Sequence, residues 1–228
     1  MTRVPSVVVL ELLLPQRCVV CSRPGVQVCE GCRLGLTRIV PPLCERCGAP
    51  TAWPVARCAE CSGRRLAFAS ARAAVAYDDA VRALVREWKE RGLRRLARLA
   101  ADLVAASLER PGETVLVPVP ADRDRSLKRG HEPAAQLAHE LGRRWELPAE
   151  RLLRRTRAGT RQRGLSQAER RANVRGAFAP ARPIQTRVVL IDDVYTTGST
   201  ANAAASALRK GGARRVDVVT FARTIRIR

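Results

Sequence analysis

Asp192 and Asp193 stand side by side at the end of an aliphatic run. Three residues later Thr196, Thr197, Gly198, Ser199 and Thr200 gather four hydroxyls around one glycine. A glycine there lets the backbone approach a phosphate closely, and the amides entering the next helix favour an anion. Adjacent carboxylates on an extended backbone point in different directions. One can therefore bond ribose hydroxyls while the other faces a metal or the reacting centre. GxxxxGK[ST] is absent, which excludes an ordinary ATP-binding P-loop, and no GxGxxG signals a dinucleotide fold. The competing interpretation is a helix-capping Ser/Thr turn with two solvated aspartates. Strand, double acid, glycine turn and amphipathic helix in this order favour a site for a phosphorylated ribose over residues 188–200.

The second chemical signal is cysteine. All eight lie between positions 18 and 61, as Cys18/Cys21, Cys29/Cys32, Cys44/Cys47 and Cys58/Cys61. Each CxxC puts two thiolates on one tight turn, half of a tetrahedral zinc site, so four pairs make two whole sites. A disulfide framework is disfavoured, because no secretion signal is evident and the spacing suits a metal better. An iron–sulfur cluster is the minor alternative. Sequential ribbons and an interleaved cross-brace both satisfy the spacing. Closed four-cysteine sites keep no open position, so their role is structural or binding, and the metal supplies much of the module's folding energy.

The elements that hold these residues fall into two regions. Residues 1–68 are rich in Pro, Gly and Cys, and form an opening segment (VPSVVVLELLLP, a short helix or strand docked on the body) plus the cysteine module. Residues 69–228 alternate strand and helix. Residues 73–77 are a strand candidate, and Val81, Leu84, Val85 and Trp88 carry helical spacing. After Gly92 an apolar stripe continues through Leu93, Leu96, Ala100, Leu103 and Val104. Residues 114–119 form a buried strand, and Ala134, Leu137, Ala138 and Leu141 line another helix. Residues 154–174 are basic and aperiodic, hence a mobile loop. Residues 187–191 are a central parallel strand. Ala201, Ala204, Ala205 and Leu208 mark the next helix, closed by Gly211-Gly212, and residues 216–221 return as a strand. This alternation predicts an α/β, doubly wound parallel sheet.

The formal net charge is +21, and only three of the 42 basic residues are lysine (Lys89, Lys128 and Lys210). Two four-thiolate zinc sites at −2 each would bring the total to +17. Polyanions are attracted at either value, and composition does not choose between DNA, RNA and a phosphorylated small molecule. No segment approaches the roughly 20 apolar residues of a membrane span, so a cytoplasmic location is expected.

Residues 188–200 resemble the phosphoribosyl pyrophosphate (PRPP) motif of type I phosphoribosyltransferases. The whole arrangement is similar to the bacterial ComF family: CxxC pairs, then YDDAVRALVREWKERG, VPVPADRDRSLKRG and QRGLSQAERRANVRGAF, then the PRPP motif. The resemblance implies a type I phosphoribosyltransferase-like sheet behind a small double zinc ribbon. It implies that Asp192 and Asp193 contact the ribose hydroxyls and that Thr196, Thr197, Gly198, Ser199 and Thr200 hold the 5′-phosphate. The pyrophosphate loop would be Pro118, Val119 and Pro120 with Arg125 and Arg129, usually with Mg²⁺. Lys89 falls at the family's basic position, and Arg161, Gln162, Arg163, Ser166, Arg170 and Asn173 lie in a loop able to close over the site. Where the family usually has Gly-Phe-Asn-Gln, this chain has Gly130, His131, Glu132 and Pro133, so His, a carboxylate and a proline replace an aromatic, an amide and a donor at positions that would meet the acceptor. His131 is either a base or polar surface. Two functions follow: Mg²⁺-dependent transfer of ribose 5-phosphate with pyrophosphate release, or a non-catalytic, PRPP-responsive factor binding single-stranded DNA in natural competence. In the second, Trp53 is the stacking candidate unless it is core. A zinc-dependent scaffold with a vestigial phosphate site is a third possibility.

Overall fold

A computed structural model describes residues 16–122, 130–156 and 176–225. The opening segment falls outside the described residues. In chain order the elements are α1 (Glu30–Leu34), β1 (Ala71–Ala76), α2 (Asp79–Glu90), α3 (Arg95–Ser107), β2 (Val115–Pro118), α4 (Pro133–Trp145), β3 (Leu153–Arg155), β4 (Phe178–Pro180), β5 (Arg187–Tyr195), α5 (Ser199–Lys210) and β6 (Arg215–Arg223). Four strands form one parallel sheet in the order β1-β6-β5-β2, and β3 and β4 make a separate antiparallel pair.

Alternation along the central strands divides the core in two. Val189 and Ile191 of β5, with Val219 and Phe221 of β6, face a cluster built by α2, α3 and α4. Val188, Leu190, Val216 and Val218 face the opposite cluster, built by α5 and the Cys44–Cys61 segment. A parallel sheet is stable only when both faces are covered, and here a cysteine module supplies part of one cover.

The apolar stripe of α2 is buried at Val81, Leu84, Val85 and Trp88, and Asp78 caps the helix by accepting from the Val81 amide at 3.0 Å. Gly92, at φ +69°, breaks the stripe, so the apolar run expected to continue past it belongs to a separate helix, α3. Two further expectations are corrected. Arg154 and Arg155 belong to β3, paired with Ala179 and Phe178, rather than to the basic loop; local polarity hid a strand that tertiary pairing creates. The rest of that loop from residue 157 to residue 174, including Arg161, Gln162, Arg163, Ser166, Arg170 and Asn173, lies outside the described residues. Strand β5 also runs past Ile191 to Tyr195, because Asp192, Val194 and Tyr195 pair with Thr220, Ala222 and Arg223 of β6.

The segment between the two cysteine groups covers the β1 edge. The Ile39 amide donates to the Ala74 carbonyl (3.0 Å), and the Ala76 amide donates to the Thr37 carbonyl (2.9 Å). An exposed strand edge is a template for wrong pairing, and this one is occupied.

Candidate functional site

The eight cysteines form two clusters, Cys18, Cys21, Cys29 and Cys32, and Cys44, Cys47, Cys58 and Cys61, with all sulfur atoms in each within 4.8 Å of one another. The pairing is therefore sequential. A zinc ion with 2.3 Å bonds to four tetrahedral sulfurs separates them by about 3.8 Å. The Cys44–Cys61 and Cys47–Cys58 sulfurs stand 3.6 and 3.5 Å apart, and Cys21–Cys29 3.6 Å, so the donor sets fit zinc. Backbone amides favour thiolates in both. Burial alone would raise Cys18 and Cys44, but amide donors including those of Cys29 and Cys58 bring them down to about 6 and about 7.

The two acids sit side by side near the carboxyl end of β5. Asp193 is buried and pairs with Lys89, at the C-terminal end of α2, with Nζ to Oδ2 at 2.5 Å. Asp192 is half-buried and lines a small concavity of about 20 Å³ with Thr196, Gly198, Ser199, Thr200 and Thr220. Its Oδ1 accepts the Asp193 amide at 2.9 Å. Desolvation, then the charge of Asp193, push its carboxyl up to about 8 against the pull of Lys89.

Gly198 is left-handed (φ +71°) and forms the N-cap of α5, an arrangement open to glycine alone here: a Cβ would lie 2.2 Å from the Tyr195 hydroxyl oxygen. Thr197 Oγ1 accepts the Ser199 amide (3.3 Å) and lies 2.9 Å from Ser199 Oγ. Thr196 is exposed, whereas Thr197, Ser199 and Thr200 are partly so. Hydroxyls and a helix start thus converge on one point, which suits a phosphate.

Val119 turns its side chain into the core, and its amide donates to the Ile191 carbonyl (2.9 Å), fixing the β2 end beside the acids. Arg125 and Arg129 lie outside the described residues. The altered 130–133 segment is structural at three positions. His131 is buried, and its Nε2–H donates to the Trp88 carbonyl at 2.7 Å, one residue before Lys89. Glu132 pairs with Arg151 (2.6 Å), and Pro133 opens α4 at a position where proline is tolerated.

Three residues near the site carry no sequence signal. Arg64, three positions after Cys61, donates through Nη2 to the Thr197 carbonyl at 2.8 Å. Arg223, at the end of β6, is 1% exposed and lies 5.1 Å over the Tyr195 ring. Asn202 of α5 accepts the Ala67 amide at 2.7 Å. Arg64 and Arg65 also line a groove of about 670 Å³ along α5, with Ser199, Asn202, Ser206 and Lys210.

The sequence matches the double zinc ribbon domain over residues 9–62 and the phosphoribosyl transferase domain over residues 89–226. It is 29% identical to Competence protein F of Haemophilus influenzae over 208 residues, 86% of this chain and 90% of that protein. It is 29% identical to the DNA utilization protein YhgH of Salmonella typhimurium over 230 residues, 94% of this chain and all of that protein. Competence protein ComFC of Bacillus subtilis is 27% identical over 212 residues, 89% of this chain and 86% of that one.

Proposed function

Since the chain belongs to the phosphoribosyl transferase domain family, and to its ComF members with a double zinc ribbon, we propose that it binds PRPP with Mg²⁺ at the β5–α5 loop and transfers ribose 5-phosphate to an acceptor. The observation that carries this reading is the double acid near the end of a central strand, followed after Val194 and Tyr195 by a glycine-hinged hydroxyl loop at a helix start. In the proposed step the bond from ribose C1 to pyrophosphate breaks and a bond from C1 to the acceptor nucleophile forms, with the electron pair leaving on pyrophosphate.

Each residue then has a task. The α5 amides and the hydroxyls of Thr196, Thr197, Ser199 and Thr200 hold the 5′-phosphate. Asp192 and Asp193 orient the ribose hydroxyls, and Lys89 fixes the Asp193 carboxylate. Arg125 and Arg129 would balance the charge that develops on the leaving group, a largely electrostatic contribution. Mg²⁺, when bound, would neutralise part of the pyrophosphate charge.

The test is calorimetric titration with PRPP and Mg²⁺. The wild-type protein is expected to bind at least tenfold more tightly than the Asp192→Asn/Asp193→Asn protein, about 1.4 kcal/mol. Equal affinity for the two overturns the assignment.

A second reading, single-stranded DNA handling in competence, is favoured by a specific surface. Trp53 is 69% exposed on the second ribbon, available for base stacking, and the groove beside α5 is lined by Arg64, Arg65 and Lys210. The names of the relatives point the same way. Trp53→Ala is expected to weaken oligothymidine binding by about tenfold in fluorescence anisotropy, consistent with the loss of one stacked base. An unchanged affinity removes the ribbon from the DNA contact.

A further inference from the structure

The two cysteine clusters are alike in composition but not in what they touch. Val19, Val20 and Val28, beside the first cluster, pack against the helical core built by α2, α3 and α4. The second cluster lies on the opposite face, against the phosphate loop.

Four connections join the second cluster to that loop. The Arg64 guanidinium donates to the Thr197 carbonyl at 2.8 Å. The buried Arg223 reaches both CxxC turns of the cluster, donating to the Cys47 carbonyl and, at 3.1 Å, to Glu60 Oε2. The same guanidinium covers the Tyr195 ring, whose hydroxyl lies directly beneath Gly198. Phe68, fully buried just after the cluster, meets Tyr195 edge-on with ring centroids 6.4 Å apart. Finally, Asn202 in the first turns of α5 accepts the Ala67 amide and donates to the Arg65 carbonyl. The loop's hinge, its Thr197 carbonyl and its helix are thus all held from behind by the segment that the Cys44–Cys61 site folds.

We propose that the second cysteine cluster is the rigid back wall of the phosphate loop, with Arg64 as a positioning residue, so that metal binding at Cys44, Cys47, Cys58 and Cys61 and ligand binding at the loop are thermodynamically coupled. A small cysteine module owes its fold to its metal, so losing that metal frees Arg64, Glu60 and the Cys47 carbonyl together. Coupling between two sites is reciprocal: whatever factor the metal contributes to ligand affinity, the ligand returns to metal affinity. The proposal depends on the PRPP assignment only for the identity of the ligand.

The experiment compares the zinc-loaded full chain with its Arg64→Ala and Arg64→Lys variants. Amide hydrogen exchange over residues 192–205 is read without ligand, with α3 peptides as the internal control, and Mg²⁺–PRPP affinity is read by calorimetry. Arg64→Ala is expected to keep its zinc, to exchange about tenfold faster in the loop but not in α3, and to bind PRPP about tenfold more weakly; Arg64→Lys recovers part of both. In chelator competition, saturating PRPP is expected to raise the affinity for one of two zinc ions and leave the other unchanged. Loop exchange identical in wild type and Arg64→Ala overturns the proposal, as does an equal rise in loop and α3. Faster loop exchange in a protein that does not bind PRPP leaves the wall in place and removes the ligand assignment instead.

Discussion

At the residue scale the pressure falls on Asp192. Its carboxyl is raised from 3.8 to about 8 by desolvation and then by its neighbour Asp193. A carboxyl raised on folding binds more protons in the native state, so its charging opposes folding increasingly as pH climbs from about 4 to about 8. Asp192→Asn is therefore expected to stabilise the protein near pH 8, by about 1 kcal/mol, with little effect near pH 4. The same substitution should flatten the pH dependence of binding. Ribose hydroxyls and Mg²⁺ favour the anion, so Mg²⁺–PRPP affinity in the wild type should rise from about pH 6 to about pH 8 with proton release. Thermal melts at the two pH values and calorimetry in buffers of different ionisation enthalpy check both. A pH-independent affinity, or a variant no more stable at pH 8, sinks the argument. His131 acts at the same scale through a different route. Its bond to the Trp88 carbonyl anchors the turn that carries Lys89, so the altered 130–133 segment supports the acid pair from the second layer.

At the element scale the critical feature is the way β5 becomes α5. The strand is held in register with β6 up to Tyr195, and the chain turns through Gly198 within three residues. Gly198→Ala would place a methyl 2.2 Å from the Tyr195 hydroxyl oxygen at a φ of +71°. The tyrosine has little room to yield, since Phe68 and Arg223 pack around it. The substitution is expected to cost about 2 kcal/mol in chemical denaturation, and more than tenfold in PRPP affinity, by displacing the hydroxyls. Wild-type stability in the variant would mean that the loop relaxes freely and is not preorganised.

At the scale of the whole molecule, the cysteine region is part of the body and not an appendage. One cluster serves each face of the sheet, and the strip between them closes the β1 edge. The chain's net charge of +21 favours polyanions over cations as partners. If oligothymidine binds in the α5 groove, affinity should fall steeply with salt, with a log–log slope of about −0.7 per phosphate contacted. Three contacts, by Arg64, Arg65 and Lys210, give a slope of about −2, and charge reversal at Lys210 should make it shallower by about one contact. A slope near zero in anisotropy titrations rules out that groove as a polyanion site.

The PRPP-like motif, the α/β alternation and the eight metal-ligand cysteines were legible in the sequence because each is local. A glycine turn after a strand, a CxxC turn and an amphipathic period all act over a few residues. Tertiary structure decided what local pattern does not encode. Whether the four CxxC pairs closed sequentially or interleaved depended on folding in three dimensions, since both satisfy the spacing. Arg64, Arg223 and Asn202 look like surface charge and helix polarity in the sequence, and acquire their roles only when segments more than a hundred positions apart meet. Strand β3 is polar in sequence and exists because β4 returns to pair with it. Residue chemistry determined the local motifs, whereas long-range packing decided that one cysteine cluster and the β5–α5 loop are built as a unit.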